Sequence, residues 1–359
     1  MTATTAAPVR RPVTAPTIVT GASGWLGRAL VRAFVDPASP LHRGTDLRVL
    51  LAGEQERAAL DEALAGTGGA VDVVLGDVTD PATIERLLDG AAGASVIHTA
   101  AVIHPPTVAD FERVNVGGAR AVVAGARAAG VRRLVHVSSN SPFGANPAPD
   151  DRFRADEPYQ PYLGYGRSKM AAEQLVLEAG RTGDLDVAVV RPPWFYGPWQ
   201  PVRQTSFFRM VRRGVFPLMG SGRNRRSMVY VDNLVDGVDA ADRVDAASGR
   251  AFWVADARPY EMNEVIAAVR AALTVCGVPP TRAQLRVPAL VGGLARFGDG
   301  LLQGRGKYVA QLHVLGEMDM TIACDIDTTR EVLGYEPAVA LTEGMVRSVR
   351  WCLDRGIDL

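Results

Sequence analysis

The sequence PTIVTGASGWLGRALVRAF, residues 16–34, decides the fold. Thr17, Ile18, Val19 and Thr20 form a short β-branched run suited to a buried strand. Gly21, Gly24 and Gly27 follow at three-residue spacing, and Arg28 to Phe34 favour helix. A strand passing through a glycine-rich turn into a helix is the context in which such a turn holds a pyrophosphate. Glycine permits the backbone angles and the close approach, and the helix N-terminus offers N–H groups and a positive dipole end. The spacing is G-x-x-G-x-x-G rather than G-x-G-x-x-G.

Working outward, the alternation repeats. Residues 47–51, 71–78, 94–101 and 133–139 read as strands, and 81–88 and 115–129 as helices. Repeated strand–helix units of this length predict an α/β fold with a parallel, doubly wound sheet. Ligands of such sheets bind at the carboxyl ends of the strands, where Gly21, Asp77, Ala100 and Ser139 fall. The second strand ends in Ala52, Gly53 and Glu54, with Arg57 further on, so the position that often tells NAD from NADP holds neither an acid nor an arginine. Beyond the strand at 187–193 the pattern loosens. A strand is expected at 227–231, and residues 285–315 read as part of a smaller, mostly helical lobe. The expected domains are a dinucleotide-binding unit at 16–193, rejoined by about 226–245, and a substrate lobe from the remainder of 194–359.

The composition excludes several classes. Among 359 residues, 39 Lys and Arg balance 39 Asp and Glu, so net charge suggests neither a nucleic-acid partner nor a membrane surface. Cys276, Cys324 and Cys352 are scattered without a C-x-x-C pair, which argues against a disulfide framework and a metal site and for a reducing cytoplasm. Residues 1–15 lack the apolar stretch of a signal peptide and read as a disordered tail. No apolar run reaches the ~20 residues a spanning helix needs.

The chemistry centres on YGRSK, residues 165–169, at the opening of a helix. Residues at i and i+4 share a helix face, so the Tyr165 phenol and the Lys169 ammonium point into one space. A phenol ordinarily titrates near ~10, and a fixed positive charge beside it brings that value toward the working range. Such a pair can move a proton onto or off an alcohol oxygen. His98, His104 and His136 read as structural.

Taken together, GASGWLG at 21–27, GDVTD at 76–80, HTAA at 98–101, NVGGAR at 115–120, LVHVSSNSPFG at 134–144, YGRSK at 165–169, RPPWFYGP at 191–198, RSMVYVDN at 226–233 and LGYEP at 333–337 carry a resemblance. The chain resembles the extended short-chain dehydrogenase/reductases, which include nucleotide-sugar epimerases and dehydratases, 3β-hydroxysteroid dehydrogenases and dihydroflavonol reductases. The resemblance implies a Rossmann-type sheet with a helical C-terminal substrate lobe. It implies Tyr165 as catalytic acid–base, Lys169 as the group that tunes it and bonds the nicotinamide ribose, and Ser139 as the residue orienting the substrate oxygen. Ser138 and Ser141 remain substitutes. Gly21, Ser23, Gly24, Trp25 and Leu26 are expected at the pyrophosphate, Asp77 and Val78 at the adenine, and Ala100, Ala101 and Pro192 along the path to the nicotinamide.

Two departures from the family pattern bear on the substrate. Asn140 and Ser141 follow Ser139 where sugar dehydratases carry an Asp-Glu pair, and Trp194 and Phe195 replace the segment in which sugar-nucleotide enzymes carry a diphosphate-binding Asn. The first leaves dehydration by that route without its acid, and the second resembles the steroid and flavonoid reductase branch more than the sugar branch. Arg226, with Arg223 and Arg225, pulls toward a phosphate-bearing substrate. The implied activity is NAD(P)-dependent interconversion of a secondary alcohol and a ketone on a mainly apolar small molecule, with a slight lean to NAD. Epimerisation of a nucleotide sugar with tightly held NAD and a cofactor-binding protein without catalysis are the alternatives. The family also implies a homodimer, the helix of YGRSK packing with the helix of Val122, Val123, Ala126 and Ala129 into a four-helix bundle.

Overall fold

The structure, a computed structural model, describes residues 8–44 and 46–359. Its first half alternates strand and helix: β1 Thr17–Thr20, α1 Trp25–Val35, β2 Leu47–Leu51, α2 Arg57–Leu64, β3 Asp72–Leu75, α3 Pro81–Leu87, β4 Ser95–His98, α4 Gly117–Ala128, β5 Arg133–Val137, α5 Leu163–Arg181 and β6 Val187–Arg191. The second half continues with β7 Trp194–Tyr196, α6 Val202–Arg213, β8 Leu218–Met219, β9 Arg225–Arg226, β10 Met228–Tyr230, α7 Val231–Arg243 and β11 Arg250–Trp253. It ends with β12 Tyr260–Glu261, α8 Met262–Val275, β13 Arg286–Val287, α9 Leu290–Gly304, α10 Ala310–Glu317, α11 Asp327–Leu333 and α12 Leu341–Asp354.

Seven strands form one parallel sheet in the order β11-β6-β5-β4-β1-β2-β3. β1, β4, β5 and β6 are buried at every position, which is why they read as near-continuous apolar runs. Alternate residues feed two cores. Ile18, Val96, Leu134 and Val187 pack with Ile84, Val122, Val123, Val176 and Ala179 under α3, α4 and α5. Val19, Ile97, Val135 and Ala188 pack on the other face with Leu30, Phe34, Leu234 and Val238 of α1 and α7. The strand order turns back between β1 and β4, so their carboxyl ends open the ligand crevice of a doubly wound sheet.

Three features differ from the sequence expectation. The strand expected at 227–231 is β10, and it pairs with β7 in a separate two-stranded ribbon. The segment returning to the large sheet runs on through α7 to β11, which pairs with β6. Finally, residues 1–7 of the expected tail lie outside the described residues, but Arg10 and Arg11 are held along α7. Arg10 bonds Asp236 at 2.6 Å and Asp239 at 3.2 Å, and the Arg11 N–H donates to the Arg243 carbonyl at 2.9 Å. Among the described residues no helix is long and apolar enough to cross a membrane.

Candidate active site

The glycine turn presses against the end of β4. Gly21 has a φ of +72°, and a Cβ there would lie 2.8 Å from the Ala100 Cα, so both conformation and space call for glycine. Gly24 precedes α1 without a side-chain cap, leaving the first-turn N–H groups, from Trp25 and Leu26 onward, to face an anion. Ser23, Ala100 and Ala101 are half-buried around the turn, and Pro192 is buried just past β6. Asp77 is exposed, accepting from the Thr79 N–H at 2.9 Å and from Arg113 at 3.4 Å, while Val78 beside it is buried against Gly118. A cradle that a Cβ would fill, an uncapped helix and an exposed carboxylate on one sheet edge fit a dinucleotide. When bound, its nicotinamide supplies or accepts the hydride.

Ser139, Tyr165 and Lys169 come together where β5 meets α5. Gly166 lies inside the Tyr165–Lys169 motif, and a Cβ there would come within 2.5 Å of the Ser141 carbonyl oxygen. Glycine therefore lets α5 close onto the serine loop. The Ser139 and Ser141 hydroxyls are 3.3 Å apart, and the Ser141 N–H donates to Ser139 Oγ at 3.2 Å. α5 starts from Leu163 at a φ of +50°, a left-handed conformation that costs a non-glycine residue about 1–2 kcal/mol. The next N–H, of Gly164, donates to Gln303 Oε1 at 3.0 Å, so α9 helps hold this start.

Lys169 is buried and donates to the Val137 carbonyl at 2.8 Å. Burial pulls its pKa down to about 8, against the opposing charge of Glu173 one turn on. Glu173 is itself fully buried, accepting from Arg191 at 2.9 and 2.6 Å and from the Tyr159 hydroxyl at 2.9 Å. Burial pushes the Tyr165 phenol up to about 12, opposed first by the Ser139 hydroxyl and then by the Arg203 charge. The sequence expectation gave the lowering role to Lys169, whose long stem here carries the ammonium to a β5 carbonyl. At neutral pH Tyr165 is thus a protonated phenol.

The expected substrate residues separate. Strand alternation sends Trp194 and Phe195 to opposite sides of β7. Trp194 Nε1 donates to Gln204 at 3.0 Å and its ring meets Phe207. Phe195 lies 4.4 Å, centroid to centroid, from Trp25, whose Nε1 donates to the Pro198 carbonyl at 2.6 Å. Arg226 donates to the Glu317 carbonyl at the end of α10, and Arg225 pairs with Asp150 at 2.8 Å.

Further residues come to the site from other parts of the chain. His104 shares a 2.7 Å hydrogen bond between Nδ1 and the Tyr308 hydroxyl and accepts from the Arg203 guanidinium on Nε2. Burial, then the Arg203 charge, hold His104 down to about 4, so it is neutral with its proton on Nδ1. Tyr308 stands edge-on to Phe111 at 5.3 Å, and Phe111 lies 5.8 Å from Tyr165. Asn115 accepts from the Val102 N–H at 2.8 Å and donates to Ser168 Oγ at 2.9 Å, tying the loop after β4 to α5. It sits in a π-helical turn, Phe111–Val116, a distortion that often marks functional positions. The NVGGAR segment was the one available signal for Asn115; the spacing of His104, Arg203 and Tyr308 offered none. Among the described residues no cluster of metal-ligating side chains occurs.

Known proteins resemble this chain over most of its length. The model of the NAD dependent epimerase/dehydratase family matches residues 17–255. The uncharacterized protein y4nL of Sinorhizobium fredii is 44% identical over 345 residues, covering 94% of this chain and 95% of that protein. The 4-hydroxy-2-methyl-3-oxo-4-farnesyl-3,4-dihydroquinoline-1-oxide ketoreductase of Stigmatella aurantiaca is 33% identical over 259 residues, 70% of this chain and 71% of that one. The fold of DesIV, a dTDP-glucose 4,6-dehydratase from Streptomyces venezuelae solved with NAD and TYD bound, superposes with a TM-score of 0.72 at 24% identity, covering 95% of this chain and 98% of that one. Since the family match runs from β1 past β11 and so takes in the whole seven-stranded sheet, the chain belongs to the NAD-dependent epimerase/dehydratase family of extended short-chain dehydrogenase/reductases.

Proposed function

We propose that the protein interconverts a secondary alcohol and a ketone on a mainly apolar small molecule, with Tyr165 exchanging the proton and Ser139 holding the substrate oxygen. The observation that carries this reading is the aromatic wall beside the phenol, where Tyr308 meets Phe111 and Phe111 meets Tyr165. Phe111 is buried and backs Tyr308, whose half-buried ring leaves apolar area to bury against a substrate. Dehydration of a sugar lacks its acid, because Asn140 and Ser141 follow Ser139. Nucleotide-sugar epimerisation is the second reading, favoured by Arg226, although that guanidinium is already bonded to the Glu317 carbonyl.

Support for NAD over NADP comes from the two arginines near β2. Arg57 pairs with Glu54 at 3.4 Å, and Arg28 reaches the Trp199 carbonyl at 2.8 Å and Glu62 at 3.4 Å. Both are engaged within the chain rather than turned to a 2′-phosphate. NAD is therefore expected to bind at least as tightly as NADP in paired titrations, and a tenfold preference for NADP would overturn this.

The reaction itself is tested with a ketone panel and NADH. Net consumption of NADH is expected, whereas an epimerase returns its hydride and consumes none. Tyr165→Phe should lower turnover by at least about a hundredfold, the scale of a lost general acid, with NAD affinity changed only a few-fold. Turnover surviving within a few-fold would place the proton source elsewhere.

A further inference from the structure

α9 is built inside out. Its buried positions include Gly292, Ala295, Asp299 and Gln303. The two polar ones are occupied there: Asp299 meets His313 Nδ1 at 2.7 Å and accepts from Gln303 Nε2 at 3.0 Å, and Gln303 holds Gly164. Leu290, Leu294, Phe297 and Leu301 face outward, 73%, 63%, 69% and 47% exposed. Placed at i, i+4, i+7 and i+11, they fall within about 60° of one another around the helix. A surface helix ordinarily turns such a stripe to the core and its polar side to water. Here the order is reversed, and Leu285, Val309 and Val314 in the flanking segments are exposed as well.

The exposed charge of this stretch of chain has one sign. From residue 282 to 319 the Lys, Arg, Asp and Glu residues are Arg282, Arg286, Arg296, Asp299, Arg305, Lys307, Glu317 and Asp319, and Glu317 is turned to His313 at 3.8 Å. Asp299 is buried against His313, and Arg296 is paired with Asp319. That leaves Arg282, Arg286, Arg305 and Lys307, all exposed and all positive. The zero net charge of the whole chain conceals this local excess.

We propose that the α9 face seats the protein on an anionic bilayer surface. The leucines and Phe297 enter the headgroup boundary while the four cations meet lipid phosphates, the arrangement by which an amphipathic helix lies on a membrane without crossing it. A second copy of the chain suits the face less well. A twofold axis through it would set these cations against their own images, with no exposed acid in the segment to answer them. The inference stands independently of which molecule the site turns over.

Flotation with vesicles provides the test. Mixed phosphatidylglycerol–phosphatidylcholine vesicles at low salt should carry the protein, and pure phosphatidylcholine vesicles at least about tenfold less, given roughly fivefold per basic residue near an anionic surface. The double variant Leu294→Ser/Phe297→Ser should lose at least about tenfold of this binding, as a peripheral helix does when its buried apolar area is cut. Its NAD affinity and thermal midpoint should stay unchanged, since both side chains are exposed. No flotation on the anionic vesicles overturns the proposal, as does a double variant that floats like its parent. A parent that ignores both vesicles but loses a dimer through the double substitution assigns the face to a second copy, which also overturns it.

Discussion

Lys169 shows what the site costs the fold. Its pKa falls from 10.5 to about 8 through burial, so below about 8 the native chain keeps a buried ammonium. Between those two values the unfolded chain binds more protons than the native one, so stability rises with pH across that window. At pH 7 the depression corresponds to roughly 3 kcal/mol. Lys169→Met removes that penalty but leaves the Val137 carbonyl without its donor, a loss of about 1 kcal/mol. The variant should therefore be more stable than the parent at pH 7 by roughly 2 kcal/mol, lose that advantage toward pH 10, and turn over little or no substrate. Urea denaturation at the two pH values measures it; a variant less stable at pH 7 would show that the ammonium is not held at a cost.

At the scale of elements, β4 and β5 bring two histidines side by side. His98 and His136 are register partners with ring centroids 5.2 Å apart. His98 bonds Thr20 Oγ1 through Nδ1 at 2.7 Å, whereas neither ring nitrogen of His136 has a partner among the described residues. Burial, then the Lys169 charge, hold His98 down to about 3 and His136 well below its usual 6.5. The native pair stays neutral while the unfolded chain takes up protons below 6.5, so stability falls as pH falls through that value. His136→Phe removes one of these protons and an unpaired buried imidazole. We expect it to stabilise the protein by about 1 kcal/mol at pH 7 and to flatten the acid side of the stability curve by about one proton. An unchanged slope between pH 7 and 5 would mean that His136 titrates in the folded chain.

For the whole molecule we propose a twofold dimer through α4 and α5, on the opposite premise from the α9 face. Part of the apolar surface of these helices is already used inside one subunit: Val122, Ala126 and Val176 are buried under the sheet. What remains is a groove lined by Val123, Ala124, Leu175 and Ala179 and flanked by Arg120, Arg127 and Glu178. Here cations and an acid share one surface, so a self-complementary contact can pair opposite charges. Light scattering at micromolar concentration should give twice the 38.2 kDa chain mass. Leu175→Glu should return the single mass with the fold intact, and a parent already at the single mass would remove the bundle.

The parallel sheet, the glycine turn and the helix that carries Tyr165 and Lys169 were legible in the amino-acid sequence because each is written over a few consecutive residues. Four buried positions in β1 need four apolar or β-branched residues, Gly21 must be glycine, and i and i+4 share a helix face wherever the helix packs. Folding decided the rest. The Arg203–His104 and His104–Tyr308 contacts join residues 99 and 204 apart in sequence, and α9 reads as an ordinary amphipathic helix until its neighbours show which side is buried. β11 escaped recognition because a four-residue edge strand of arginine, alanine and two aromatics carries little periodicity of its own. The pKa values of Lys169 and Tyr165 are likewise set by burial, and burial is a property of what the distant chain brings to a residue, not of its neighbours in sequence.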